Sequence, residues 1–159
     1  MKLAVIIPTY QAFKYAKKTL ESFFKYNNTG DIIVVDDTSP DWGTAWLDDF
    51  PKDRLVVHRF KNNGGLTRSW NWGLNYANSK GYDYVVIGNN DIIFTPGWFK
   101  PIKHGLDNGW HLLGPITNAP GSSGDQKITY HFKNFYLTDE YDYLESLSNH
   151  NIFIAKKAD

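Results

Sequence analysis

A chain of 159 residues, with 17 Lys plus Arg against 17 Asp plus Glu, has the length of one domain and no net charge; this argues against a nucleic-acid binder, which shows a basic excess. It contains no cysteine, so disulfides and thiolate metal sites are excluded, and the composition fits a reducing, cytoplasmic setting. Ten Tyr, ten Phe and six Trp supply aromatic surface both for a core and for a groove that takes sugar rings or bases.

The N-terminus does not read as a secretory signal, because Leu3 to Ile7 is followed at once by Pro8 and polar residues. No run reaches the ~18 apolar residues of a membrane span. Leu3-Ala4-Val5-Ile6-Ile7 reads as a buried strand ending at Pro8. Phe13, Ala16, Leu20, Phe23 and Phe24 then recur at helical spacing, with Lys14, Lys17, Lys18, Glu21 and Lys25 on the other faces. Asn27-Asn28-Thr29-Gly30 closes that helix. Ile32-Ile33-Val34-Val35 is a second buried strand, ending in Asp36-Asp37. A short helix is expected around Trp46 and Leu47, then a strand at Leu55-Val56-Val57. Gly64-Gly65 opens a helix with Leu66, Trp70, Gly73, Leu74 and Ala77 on one side. Tyr84-Val85-Val86-Ile87-Gly88 reads as a strand buried on both faces, with Asn89-Asn90-Asp91 at its carboxyl end. Strands alternating with helical patterns predict βαβ units, a parallel sheet flanked by helices and right-handed crossovers.

The second half is less regular. A short helix is expected from Trp98 to Leu106 and a strand from Trp110 to Leu113, ended by Gly114-Pro115. Asn118 to Gln126 is Gly-, Ser- and Pro-rich, hence a loop. Lys127 to Phe132 reads as a strand, Asp139 to Ser148 is at best weakly helical, and Asn151 to Ala155 reads as a last strand.

Three predicted strand ends carry polar groups: Pro8-Thr9-Tyr10, Asp36-Asp37 and Asn89-Asn90-Asp91. Parallel strands point the same way, so all three emerge on one rim, where open α/β sheets bind ligands. A helix N-terminus follows the first, and its free N–H groups favour an anion. One carboxylate beside two amides suits a hard cation brought in by a diphosphate, since Mg²⁺ typically takes only one or two carboxylates plus phosphate oxygens. Together these groups match a nucleoside diphosphate. Read alone, Asn-Asn-Asp is equally well turn chemistry. Competing α/β chemistries lack their motifs: no G-x-G-x-x-G follows the first strand, and neither G-x-x-x-x-G-K-[ST] nor G-x-S-x-G is present. A phospho-acceptor role for Asp36-Asp37 would leave the Asn-Asn-Asp rim idle. The five His residues show no metal-ligand spacing. Trp42, Trp46, Trp70 and Trp72 read as core or groove wall, whereas Trp98 and Trp110 are the better candidates for a sugar platform.

Four blocks, in this order and spacing, resemble glycosyltransferase family 2, with its Rossmann-like GT-A fold: Leu3 to Tyr10 (LAVIIPTY), Ile32 to Ser39 (IIVVDDTS), Asn62 to Leu74 (NNGGLTRSWNWGL) and Val85 to Phe94 (VVIGNNDIIF). The resemblance covers about residues 1–118. It includes Gly114-Pro115-Ile116-Thr117-Asn118, which is similar to a block of the rhamnosyltransferase-like members. It implies one GT-A domain over residues 1–159, with a nucleotide-binding half at 1–95 and part of an acceptor half at 96–159. It implies a nucleotide-sugar donor, UDP-linked or else dTDP-linked, a glycan or other hydroxyl acceptor, inverting transfer, and Mn²⁺ or Mg²⁺. Pro8, Thr9 and Tyr10 would cradle the base, with Tyr10 in the stacking position. Asp37 would accept the N3–H of uracil or thymine, and Asp36 would orient the loop. Arg68 would approach the base or phosphates. Asn90 would lie near the ribose or phosphates, and Asp91 would be the metal ligand.

The family motif has two acids where this chain has one, which weakens the expected metal site. Asn151 to Lys157 (NIFIAKK) is similar to the family strand that precedes a helix and then a Glu-Asp pair, whose Asp is the usual general base. The sequence stops at Asp159, before such a pair; the expectation is a C-terminally truncated domain, or a base drawn from elsewhere. Asp125, Asp139, Glu140, Asp142 and Glu145 read as solvated surface carboxylates. Two alternatives stand beside the transferase: a nucleotide-sugar binding module without turnover, and a sugar nucleotidyltransferase, whose Gly-rich, Arg-containing loop after the first strand is missing here.

Overall fold

The structure, a computed structural model, describes residues 2–11, 13–27, 29–40, 43, 45–110, 112–115 and 153–156. It divides into two compact units, Met1–Phe94 and Thr95–Asp159. In the first, strands β1 (Leu3–Thr9), β2 (Asp31–Asp36), β3 (Leu55–Arg59) and β4 (Tyr84–Ile87) form a parallel sheet in the order β3-β2-β1-β4. Helix α1 (Phe13–Tyr26) joins β1 to β2, and α2 (Leu66–Ser79) joins β3 to β4. A single 3₁₀ turn, Ala45–Asp49, lies between β2 and β3.

The faces follow from connectivity. The chain steps outward from β1 to β2 to β3 and then returns to the far side of β1. Right-handed crossovers running in opposite directions place their helices on opposite faces of the sheet. Ala77 of α2 accordingly packs with Ala4, Ile6, Ile33 and Val35. The two-residue period sends Leu3, Val5, Ile7, Ile32 and Val34 to the other face, and all five are buried. Helix α1 packs on β1 and buries Ala16, Leu20 and Phe23. Gly73 lets α2 close on the sheet: a Cβ there would stand 2.5 Å from Ile6 Cγ2. At the other helix, Arg54 satisfies the carbonyls left after the last turn of α1, donating to Asn27 O at 2.8 Å and to Gly30 O at 2.8 and 2.9 Å.

The inner strands are buried on both faces, as expected. The expectation for β4 needs correcting. Its residues alternate between half-buried and exposed, with Val85 at 38% and Ile87 at 47% exposure. The reversal of direction at β1 leaves β4 at the sheet edge among the described strands. An apolar run encodes strand formation, but its neighbours decide how many faces are covered.

In the second unit, α3 (Phe99–Asp107) precedes an antiparallel pair formed by β5 (Leu112–Pro115) and β6 (Phe153–Lys156). Strand β5 lies later than expected and runs through Gly114-Pro115 rather than stopping before them. Pro115 stands at the strand end, opposite Phe153, a position a proline can occupy. The expected loop at 118–126, strand at 127–132 and helix at 139–148 lie outside the described residues.

Candidate functional site

Strands β1 and β4 pair from Leu3↔Tyr84 to Ile6↔Ile87. The Gly88 N–H then donates to Ile6 O at 2.9 Å, and β4 parts from β1. Strand β1 continues beside β2 as far as Thr9↔Asp36. Along a strand, successive residues turn their backbone groups to alternate neighbours. Ile6 O faces β4, and Thr9 O faces β2, where it accepts from Asp37 N at 2.8 Å. The N–H that Pro8 lacks would therefore face the side β4 has vacated, so this proline in a central strand breaks no ladder bond. The gap that opens at the carboxyl ends of β1 and β4 is the topological switch point, the usual ligand crevice of an open α/β sheet.

The rim of this gap gathers most of the residues expected from sequence. Asn90 Nδ2 donates to Thr9 Oγ1 at 3.3 Å, bridging the two strand ends. Tyr10 is 48% exposed beside them. Asp91 is exposed. Pro8 is buried within β1. Among the described residues, two non-glycine residues adopt the left-handed region, Gln11 at φ 52° and Thr38 at φ 71°. Each is the second residue beyond a strand end, and backbone strain of this kind clusters at ligand-binding loops.

The acidic pair divides its work. Asp36 is fully buried. It accepts from Ser39 N at 3.2 and 3.1 Å and from the Ser39 hydroxyl, and it pairs with Arg59 Nε at 3.3 Å. Ser39 Oγ in turn accepts from Gln11 N at 2.8 Å, tying the loop after β2 to the loop after β1. Asp36 is thus spent inside the protein, which agrees with a loop-orienting role. Asp37 faces α2. Its carboxylate accepts from Gly64 N at 3.1 Å, from Gly65 N at 2.7 Å and from Arg68 Nη2 at 2.5 Å. Gly65, at φ +86°, and Gly64, where a Cβ would collide with the Arg68 guanidinium, make this approach possible. The acid at the start of α2 complements the positive end of the helix, whose own first turn holds none. Burial pushes Asp37 up, but the Arg68 bond and the two glycine N–H bonds outweigh it and hold the carboxyl below the usual carboxylate range. The Arg68 guanidinium also lies 3.8 Å from the Phe60 ring centroid and donates to Asn62 O.

Among the described residues, no group of three His, Cys, Asp or Glu side chains stands ready to hold a metal ion. One exposed carboxylate, preceded by Asn89 and Asn90, fits a cation that arrives with its own phosphate ligands; it does not fit a permanently bound ion. Trp98 belongs to the second unit, as does Trp110. The late acids Asp125, Asp139, Glu140, Asp142 and Glu145 lie outside the described residues.

Sequence reasoning passed over Thr19 and Ser22. Both are fully buried on α1. Thr19 Oγ1 donates to Asn90 O at 2.9 Å and Ile92 O at 2.8 Å, and Ser22 Oγ accepts from Phe94 N at 3.0 Å. The available signal was two polar residues at positions that belong to the apolar face of an amphipathic helix.

A family model described as Glycosyl transferase family 2 matches residues 4–156. The chain is 25% identical over 146 residues to the minor teichoic acid biosynthesis protein GgaB of Bacillus subtilis (strain 168), covering 86% of this chain and 16% of that protein. It is 29% identical over 102 residues to the undecaprenyl-phosphate mannosyltransferase of Micrococcus luteus, covering 60% of this chain and 40% of that one. Among solved structures it is similar to S. aureus TarS 1-349 in complex with UDP, with a TM-score of 0.58 and 26% identity, covering 69% of this chain and 33% of the other. The chain thus spans well under two thirds of the length of each of these relatives.

Proposed function

The chain belongs to glycosyltransferase family 2, and from that premise we propose that residues 1–95 form the donor half of a transferase that takes a sugar from a UDP-linked donor, with 96–159 contributing to the acceptor half. The observation that carries this reading is the convergence of Thr9, Asn90, Asp37 and Arg68 on the switch-point rim of one sheet. The TarS structure, at 26% identity, holds UDP, which supports a uridine donor.

In this reading Tyr10, exposed above the rim, stacks on the base. Asp37 accepts the N3–H that uracil and thymine carry and purine donors do not present in the same way. Its two oxygens already accept from three groups, which leaves little lone-pair capacity. Gly64 and Gly65 donate from the backbone, so Arg68, 37% exposed, is the donor that gives way. Its guanidinium then turns to the diphosphate, where a planar fork suits phosphate oxygens. Asn90 bonds the ribose or phosphates. Asp91 would hold Mn²⁺ or Mg²⁺ brought in with the donor, and such an ion would neutralise charge on the leaving group. Transfer is inverting. The acceptor hydroxyl oxygen bonds to the anomeric carbon as that carbon's bond to the diphosphate breaks. The hydroxyl proton goes to a base, which the resemblance places after residues 151–157.

Calorimetric titration with UDP, dTDP and GDP, each with Mn²⁺ and with EDTA, tests the reading. UDP or dTDP should bind more tightly than GDP, with a metal-dependent gain that Asp91→Asn removes. Equal affinity for all three, or a full metal gain in the variant, would displace Asp37 or Asp91 from these roles.

A further inference from the structure

We propose that Thr19 is a positioning residue for the Asn90–Asp91 turn, acting from α1 with Ser22 as its support; this rests on the reading of Asp91 as the metal-binding carboxylate. The segment after β4 has no regular structure from Gly88 to Pro96, yet it is pinned to α1 at successive points. Thr19 Oγ1 lies 2.9 Å from Asn90 O and 2.8 Å from Ile92 O. A threonine hydroxyl has one proton, so a single donor is shared between the two carbonyls that flank Asp91. Ser22 Oγ accepts from Phe94 N at 3.0 Å and donates to Thr19 O at 2.9 Å, one helical turn back. The Phe94 ring then meets Phe23 edge-on, with centroids 5.3 Å apart.

These contacts divide the segment into a buried side and a free one. Thr19 and Ser22 are 0% exposed and Phe94 is 5% exposed, whereas Asp91 is exposed. Both carbonyls beside Asp91 are drawn to the helix, which fixes the backbone on either side of it. Asn90 Nδ2 still reaches Thr9 Oγ1 across the gap, so the turn is held from below by α1 and from the side by β1. A carboxylate that shares a cation with mobile phosphate oxygens needs such a fixed backbone, because orientation lost at the ligand appears directly as lost affinity. Hydroxyls buried in a helix can satisfy themselves on their own helix. Thr19 instead spends its proton on the loop, which is what sets it apart from a merely satisfied core threonine.

The test uses Thr19→Val, which keeps the shape and removes the hydroxyl, and Thr19→Ser, which keeps the hydroxyl, both in the whole 159-residue chain. Two quantities are read: amide hydrogen exchange across residues 88–94, and the ratio of UDP affinity in Mn²⁺ to that in EDTA. Thr19→Val should speed exchange in this segment while leaving β1 and β2 protected. It should also cut the metal-dependent gain by about fivefold to tenfold, the weight of one such bond, with metal-free UDP affinity unchanged. Thr19→Ser should restore both. Unchanged exchange in Thr19→Val overturns the proposal. Faster exchange with an intact metal gain overturns the positioning role. If the unaltered chain shows no metal-dependent gain, the functional reading of Asp91 fails, and exchange alone still decides whether Thr19 holds the turn.

Discussion

Asp37 accepts from Gly64, Gly65 and Arg68 with its side chain 5% exposed, so the carboxylate that would read a pyrimidine also anchors the start of α2. Two consequences separate the roles. Because its folded pKa lies below the ordinary 3.8, Asp37 contributes stability that is fully present above that value. The contribution is lost as pH falls through the depressed one. Asp37→Asn should therefore flatten the acid limb of a stability-versus-pH curve measured by urea unfolding; an unchanged limb would mean that other carboxylates set it. The same variant should weaken UDP binding by about tenfold to a hundredfold, the weight of a bond to a charged acceptor. Different roles for Asp36 and Asp37 were an implication of the family resemblance, not of the two residues themselves. That Arg59 closes on Asp36, and α2 on Asp37, was not legible in the sequence, because both arrangements depend on partners more than twenty residues away in sequence.

At the scale of elements, the close contact between α2 and β1 makes Gly73 a test of packing against propensity. Alanine gains up to about 1 kcal/mol over glycine in a helix. Overpacking a filled core costs about 1–3 kcal/mol, and the new Cβ would meet Ile6 Cγ2 at 2.5 Å. Packing should win, so Gly73→Ala should lower the unfolding free energy; a stabilised variant would show that α2 can move off the sheet freely. On the same side of the sheet, His58 stacks on Trp72 with centroids 3.8 Å apart, and Trp72 stacks on Tyr76 at 5.3 Å. Burial first, and the Arg68 charge second, push the His58 imidazole below its ordinary 6.5. Its stabilising contribution is present above 6.5 and is lost as pH falls through the lowered value. His58→Phe should keep the stack and remove that loss, which thermal melts across this pH range would detect as a flatter profile. The inner strands and both long helices were legible because apolar runs and helical periods are local signals. The single exposed face of β4 and the polar anchors Thr19 and Ser22 were not, since neighbours across the fold decide both.

At the scale of the whole molecule, a neutral chain of 159 residues that covers 16% of GgaB and 33% of the TarS chain carries the four blocks that resemble the family within its first compact unit, Met1–Phe94. No described helix is long and apolar enough to cross a membrane. The fold class was legible because alternating strand and helix patterns permit few topologies. That the polar strand ends share one rim followed from strand direction, but the reversal at β1 that opens the crevice is a property of strand order, which only the structure displays. The central claim is that this crevice binds the donor nucleotide. Its most direct test is amide hydrogen exchange on the chain with and without saturating UDP and Mn²⁺. Protection should be confined to four segments, 8–11, 36–39, 62–68 and 89–92, with the remainder of β1 to β4 unchanged. Binding that leaves these segments unprotected, or that protects a different edge of the sheet, would contradict it.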